Sequence, residues 1–182
     1  MTASSQHVVD YLNEHGADVT YICGFLDPFE AEHFLHALLA EVEFNRPEDS
    51  RVFVHGKWLL IPRRQSGYGD PGTSYRFAGC TVSARPWAAA PSLARMREIL
   101  HQRAGYEANF VLLNHYRHGA DSIGWHQDDE ADLGPAPQIL SVSLGAVRDF
   151  QFRRRDAATS GVRTVSLALE AGSLLVMRDP TN

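Results

Sequence analysis

A His-x-Asp pair in the middle of the chain has the residue types and spacing of a metal site. His126 and Asp128 are separated by one residue and follow two turn-forming glycines, Gly119 and Gly124. Side chains two residues apart in an extended segment share one face, so the imidazole and the carboxylate can bind the same ion. The spacing therefore predicts that these two side chains are ligands of one metal.

The residues before the pair strengthen this hypothesis, because a lone His-x-Asp tripeptide is more often part of a solvated loop. Phe110, Leu112, Asn114 and Tyr116 alternate along a predicted strand, so they share a face that runs from apolar to polar. Such a face leads from a core into a pocket. A His, a carboxylate and a second His from elsewhere form the facial triad of non-haem Fe(II) oxygenases, which leaves positions open for oxygen and a cosubstrate.

Further motifs lie on both sides of the pair. They are Pro62-Arg63-Arg64-Gln65, Tyr68-Gly69-Asp70, Tyr75-x-Phe77-x-Gly79, Pro86-Trp87, Asn114-x-Tyr116, Ser141-Val142-Ser143-Leu144-Gly145, Arg148-Asp149-Phe150 and Gly172-Ser173-Leu174-Leu175. With the pair itself, they resemble the AlkB-type Fe(II)/2-oxoglutarate dioxygenases, which are nucleic-acid repair demethylases. The resemblance covers about residues 18–182 and is strongest to the branch that acts on duplex DNA.

The resemblance implies a role for each residue of the metal and cosubstrate site. His126 and Asp128 would bind Fe(II), and Asn114 and Tyr116 would contact the cosubstrate 2-oxoglutarate. An amide and a phenol are suitable neutral donors to a keto acid. The implied reaction is oxidative demethylation of 1-methyladenine or 3-methylcytosine in DNA, with RNA as an alternative substrate. It uses O₂ and releases formaldehyde and succinate.

The resemblance also implies a pocket for a base flipped out of the helix. Phe77 would stack on the base opposite His126, because an extracted base needs a partner that replaces its neighbours. Glu130 would accept a hydrogen bond from the exocyclic amino group of the base. Tyr75 shares a strand face with Phe77 and is a further candidate for substrate binding. A plain core role for these aromatic residues is the alternative.

The charge distribution predicts where nucleic acid binds. Residues 1–50 hold one arginine against ten acids, whereas residues 51–103 hold nine Lys and Arg against two acids, in a chain of net charge −5. The basic segment predicts a polyanion-binding surface, although an ordinary solvated face is the alternative. Arg63 and Arg64, in a predicted loop over 62–73, would contact phosphates.

A predicted hairpin over residues 51–61 has His55 at its tip. In the resembling branch, this hairpin carries a wedge that fills the gap left by the flipped base. His55 can stack in that gap, or it can be an exposed turn residue.

We expect one α+β domain over residues 1–182. Helices are predicted over 5–15, 28–44 and 91–104, the second of them with a capping box formed by Asp27 and Glu30. Further strands are predicted over 18–23, 107–116, 138–144, 147–153, 162–169 and 172–177. This order predicts a jelly-roll core (a double-stranded β-helix) with supporting N-terminal helices. We expect residues 17–106 to recognise the nucleotide and 107–182 to form an incomplete jelly roll.

The sequence departs from the family pattern at its C-terminal end. No histidine follows His126, whereas the family pattern has a second ligand histidine and two cosubstrate-binding arginines further along. We therefore expect the third ligand and the closing strands to lie beyond Asn182. A nucleic-acid-binding relative without catalysis, and a cupin-like barrel for a small acid, are the alternatives.

Composition narrows the environment in which the protein works. Hydrophobic residues make up 44% of the chain and charged residues 21%. No apolar run approaches the ~20 residues of a membrane span, and the N-terminus has no apolar segment typical of a secretion signal. Cys23 and Cys80 are isolated, which suits a reducing compartment. We expect a cytoplasmic monomer without membrane contact, associated with the nucleoid if the source is bacterial.

Overall fold

A computed structural model describes residues 3–54, 56–130 and 133–181. Within these ranges the chain forms four α-helices: α1 (Ala3–Glu14), α2 (Pro28–Glu41), α3 (Pro91–Ala104) and α4 (Ala157–Ser160). The strands there are β1 (Asp18–Ile22), β2 (Arg51–Val54), β3 (Lys57–Leu60), β4 (Arg64–Gly69), β5 (Ser74–Phe77), β6 (Cys80–Pro86), β7 (Phe110–His115), β8 (Gln138–Val142), β9 (Arg148–Phe152), β10 (Val165–Leu169) and β11 (Leu174–Arg178). The α+β class predicted from the sequence is confirmed.

Local signals in the sequence mark the start of α2 and both ends of α3. At the start of α2, the Glu30 N–H donates to Asp27 Oδ1 at 2.9 Å, and the Asp27 N–H donates to Glu30 Oε2 at 3.0 Å. This is the predicted capping box. Helix α3 begins with Pro91 and ends at Ala104, and the next residue, Gly105, caps it with a positive φ of 71° that suits glycine. Its predicted bounds are confirmed.

The chain divides into two compact units, of which the first comprises residues up to His36 and from Leu133 onward. Its antiparallel sheet has the strand order β1-β11-β8, and β9 pairs with β10 in a separate hairpin. The central strand β11 is buried from Leu174 to Met177, and Leu174, Leu175 and Val176 have no exposed surface. Strands β7 to β11, taken over both units, correspond to the five strands predicted from residue 107 onward.

The second unit, Ala37–Asp132, holds the candidate site. Its main sheet has the order β5-β6-β4-β7, with β4 antiparallel to β7 and parallel to β6. The prediction of a loop over 62–73 is therefore wrong for residues 64–69, which form β4. A Cβ at Gly67 would lie 2.8 Å from Val82 Cγ1, and one at Gly69 would lie 2.6 Å from Thr73 Oγ1. Both glycines were interpreted as turn signals. They lie in a strand instead, at positions where the packing leaves no room for a side chain.

The second unit contains two hairpins, of which one is part of this sheet and the other is a separate two-stranded sheet. Strands β5 and β6 are joined by Ala78 and Gly79, whose φ values of 43° and 78° fit a tight two-residue turn. Strands β2 and β3 form the other hairpin, as predicted, and the Phe53 N–H donates to the Ala78 carbonyl at 2.9 Å. The predicted wedge residue His55 lies outside the described residues.

None of the helices described above combines the length and apolar character needed to cross a bilayer.

Candidate active site

The predicted cosubstrate residue Asn114 is held from behind by two side chains. Asn114 lies near the end of β7, opposite Gln65 in β4, and cross-strand partners share one face of a sheet. Gln65 Nε2 donates to Asn114 Oδ1 at 2.9 Å, and Arg63 Nε donates to the same oxygen at 2.7 Å. Because Asn114 is exposed while both donors are buried, its amide nitrogen remains available on the open side. Tyr116, the second predicted cosubstrate residue, follows directly after β7.

Arg63 lies in a different place from the one predicted. Its side chain is 7% exposed, and its Nη1 donates to the Ser122 carbonyl at 3.3 Å. The Ser122 N–H in turn donates to the Pro62 carbonyl at 3.0 Å, so the two segments hold each other. Burial lowers the pKa of the Arg63 guanidinium, against the opposing effect of Tyr116. This arginine is therefore not on an open loop where it could meet phosphate.

Arg64 has the exposed position that was predicted for both arginines. Side chains alternate along β4, so Arg64 points to the face opposite that of Gln65. Its Cζ lies 4.5 Å from the centre of the Phe44 ring, and that ring also contacts His115 at 5.3 Å between centroids. Burial and the nearby Arg64 charge lower the pKa of His115. His115 thus lies away from Asn114, as its place in the strand predicts.

The turn after β7 is closed by an ion pair that the sequence analysis missed. Arg117 donates through Nε to Asp121 Oδ2 at 2.7 Å and through Nη2 to Asp121 Oδ1 at 2.8 Å. Its backbone N–H also donates to Asp121 Oδ2, at 2.9 Å. Hydrogen bonding to Arg117 holds the pKa of the buried Asp121 carboxyl well below its usual range. The four-residue spacing of opposite charges was the available signal.

The two predicted metal ligands lie side by side after this turn. His126 Nε2 is 3.7 Å from Asp128 Oδ1, and His126 Nδ1 is 2.9 Å from the Gly124 carbonyl. A carbonyl can only accept, so Nδ1 carries the proton and Nε2 has the lone pair that a metal needs. The distance allows both atoms to reach one ion through bonds of about 2 Å. The pair therefore fits a metal.

A third ligand is not placed beside this pair within the described residues. No group of three His, Cys, Asp or Glu side chains in the described part of the chain is arranged to hold a metal ion. His118 lies in the preceding turn, where its Nε2 is 3.8 Å from Asp121 Oδ1.

Tyr75 brings together one predicted metal ligand and one predicted base-binding residue. Its hydroxyl donates to Glu130 Oε2 at 2.6 Å, and the Tyr75 hydroxyl oxygen also lies 3.3 Å from Asp128 Oδ1. Burial, followed by the hydrogen bond to Glu130, raises the pKa of Tyr75 well above its usual value. The phenol therefore keeps its proton and acts as a fixed donor to this carboxylate.

Aromatic rings surround this hydrogen-bonded group. The Tyr75 ring lies 5.5 Å from the Phe77 ring and 6.3 Å from the Phe110 ring, measured between centroids. Phe77 also packs against the buried cluster that contains Ile61 and Val82, so it is partly a core residue. Phe110 was not among the predicted site residues, because its apolar position on the strand indicated only a core residue.

Comparisons with known proteins identify the family of the chain. A family profile described as the 2OG-Fe(II) oxygenase superfamily matches residues 18–182. The chain is 43% identical over 176 residues to the human protein named DNA oxidative demethylase ALKBH2, across 94% of this chain and 66% of that protein. It is 31% identical over 172 residues to human alpha-ketoglutarate-dependent dioxygenase alkB homolog 3, across 90% of this chain and 58% of that protein.

The mouse protein named DNA oxidative demethylase ALKBH2 is 44% identical over 157 residues, across 84% of this chain and 65% of the mouse protein. The chain thus spans somewhat less than two thirds of the length of these relatives. The profile match includes β1 to β11 and every candidate site residue. It confirms the resemblance seen in the motifs and, with it, the jelly-roll fold. The chain belongs to the 2OG-Fe(II) oxygenase superfamily, and within it to the AlkB-type dioxygenases.

Proposed function

We propose that the protein oxidatively demethylates N-alkylated bases in DNA, with 1-methyladenine and 3-methylcytosine as substrates. The reaction would use Fe(II), 2-oxoglutarate and O₂, and would release formaldehyde and succinate. The observation that carries the proposal is the contact of one phenol, Tyr75, with both Asp128 and Glu130. It brings a group suited to reading a base next to a group suited to binding iron.

The iron and cosubstrate would be held by residues that fit them chemically. Nε2 of His126 and the carboxylate of Asp128 would bind the metal, and the amide nitrogen of Asn114 would donate to 2-oxoglutarate. When bound, the two supply the activated oxygen for hydroxylating the methyl group, which then leaves the base as formaldehyde. The chain itself would orient the base.

Glu130 is the residue best placed to orient the base. Its Oε2 accepts from Tyr75, and its Oε1 accepts no hydrogen bond from the described residues. That oxygen can accept from an exocyclic amino group, which adenine carries at N6 and cytosine at N4. Alkylation of the ring nitrogen leaves these bases cationic, so a carboxylate beside them is favourable. The same acceptor can therefore contact either proposed lesion, and the two contacts differ in geometry because N6 and N4 lie on ring systems of different size.

The decisive experiment measures formaldehyde release from methylated oligonucleotides. We expect the natural protein to release formaldehyde from DNA carrying 1-methyladenine or 3-methylcytosine, and only when Fe(II) and 2-oxoglutarate are both present. Unmethylated DNA is the control, and methylated RNA tests the alternative substrate. Binding to methylated DNA without formaldehyde release would instead identify a non-catalytic nucleic-acid-binding relative.

Arg64 is expected to account for one phosphate contact. Arg64→Ala should reduce the slope of log affinity for DNA against log salt concentration by about 0.9, the value for one lost contact to duplex DNA. Because Arg63 is buried, replacing it as well should add little to this change. The control is Arg95→Ala, which removes an arginine of the same basic segment that is already paired with Glu98. An unchanged slope in Arg64→Ala would exclude the contact.

A further inference from the structure

The chemistry of its neighbours determines which way the Asn114 amide faces. Arginine has donors and no acceptor, so the Asn114 atom 2.7 Å from Arg63 Nε must be the carbonyl oxygen. The Gln65 atom 2.9 Å from that oxygen must then be its amide nitrogen. The Asn114 NH₂ group consequently lies on the side away from both neighbours. In the described part of the chain it makes no hydrogen bond.

Gln65 is an unusual choice for its position if stability alone is considered. Its side chain is 1% exposed, and its Oε1 is buried without a hydrogen-bond partner among the described residues. A buried acceptor that lacks a partner destabilises a fold, and an apolar side chain would avoid that cost. The donation from Nε2 to Asn114 is the contact that explains a glutamine here.

Arg63, like Gln65, is an unfavourable residue for its position if stability alone is considered. It is a buried cation, and no carboxylate in the described residues forms an ion pair with it. Its guanidinium instead donates to two neutral oxygens, those of Asn114 and of the Ser122 backbone. A buried charge without a counter-ion is unfavourable unless an anion binds nearby. Both residues therefore contribute to something other than stability.

We propose that Arg63 and Gln65 are positioning residues for the dianionic keto acid 2-oxoglutarate. They hold the Asn114 amide with its NH₂ group toward the cosubstrate, and the Arg63 charge favours an anion at that place. The inference rests on the proposed function, because it takes Asn114 as a cosubstrate contact. It also gives Arg63 a role different from that of its exposed neighbour Arg64, which is turned toward Phe44.

The test compares direct binding of 2-oxoglutarate by a series of variants, measured by calorimetry on protein loaded with Mn²⁺ so that no turnover occurs. Gln65→Met removes the amide but keeps the shape, and we expect about a tenfold weaker binding constant. Arg63→Lys keeps the charge but loses the planar fork, and should lie between the wild-type protein and Gln65→Met. Asn114→Asp keeps the accepting oxygen but replaces the NH₂ group with an anionic oxygen, and should bind most weakly of all. Arg95→Ala, at an arginine paired with Glu98, is the control and should bind 2-oxoglutarate as the wild-type protein does.

A second measurement does not depend on the cosubstrate. The ¹⁵N order parameter of the Asn114 side-chain amide should be high in the wild-type protein and should fall in Gln65→Met and Arg63→Lys. If the order parameter falls but 2-oxoglutarate does not bind the wild-type protein, the proposed function fails while the positioning of Asn114 stands. Unchanged order in both variants, or wild-type binding of 2-oxoglutarate by both, overturns the inference. Loss of DNA affinity in Arg63→Lys with unchanged keto-acid binding would overturn it in favour of the phosphate role.

Discussion

Replacing His126 or Asp128 with alanine is expected to abolish formaldehyde release while the protein stays folded. Each variant removes one of the two atoms that lie 3.7 Å apart and fit one metal ion. Loss of even an indirect supporting partner typically lowers metal affinity or activity 10–100-fold, so loss of a ligand should exceed about a hundredfold. The measurement is formaldehyde release, with bound iron determined in parallel.

The folded state should survive because neither side chain is part of a core. The His126 and Asp128 side chains are 43% and 22% exposed, and their polar contacts are with each other, with the Gly124 carbonyl and with the Tyr75 hydroxyl. Thermal unfolding should therefore change little. Gln127→Ala is the matched control, since an alternating side chain between the two ligands points to the other face and should keep activity. Formaldehyde release retained by either ligand variant would show that other residues bind the iron.

The helices could be predicted closely because their signals are local. The capping box of α2 involves residues three apart, and the end of α3 requires only a glycine that can adopt positive φ. Both features arise within one turn of helix. No information about distant parts of the chain is needed to recognise them, and the start of α2 and both ends of α3 agree with the prediction. Helix α2 ends at Glu41, three residues before its predicted end, and the short helix α4 was not predicted.

Strand β4 could not be predicted because its glycines have a non-local cause. Gly67 and Gly69 are excluded from carrying side chains by Val82, Phe110 and Thr73, which lie on other strands or loops of the second unit. In the sequence such glycines indicate turns, and nothing within the segment distinguishes a turn from a closely packed strand. Because this segment was predicted to be a loop, Arg63 was predicted to lie on an exposed surface, whereas its side chain is buried.

The same difference between local and non-local signals decides which residues of the site could be predicted. His126 and Asp128 share a face because they are two residues apart, so the sequence sufficed to pair them. The contact of Gln65 with Asn114 depends on the register between β4 and β7, and that of Tyr75 with Glu130 joins residues 55 positions apart. Such contacts follow from topology, which local patterns do not determine.

The base pocket gives the second large expected effect. Phe77→Ala should lower kcat/KM on 1-methyladenine and 3-methylcytosine alike, by about 5- to 150-fold for the 1–3 kcal/mol that one base–aromatic stack contributes. The ratio between the two lesions should not change, because stacking does not read the edge of a base. Formaldehyde release from both oligonucleotides measures it. Phe77→Leu is the control that keeps the packing on Ile61 and Val82 but removes the aromatic ring.

Variants at Glu130 and Tyr75 should affect the ratio between the two lesions in the same direction, whereas Phe77→Ala should leave it unchanged. Glu130→Ala removes the acceptor that reads the exocyclic amino group, so it should change the ratio between the two lesions. Tyr75→Phe removes only the hydroxyl that holds Glu130 Oε2 at 2.6 Å, and should change the ratio in the same direction to a smaller extent. Because the two side chains act as one hydrogen-bonded group, the double variant should resemble Glu130→Ala alone rather than the sum of both. Additive effects, or a Phe77→Ala protein that also changes the ratio, would mean that the pocket does not divide stacking and edge recognition in this way.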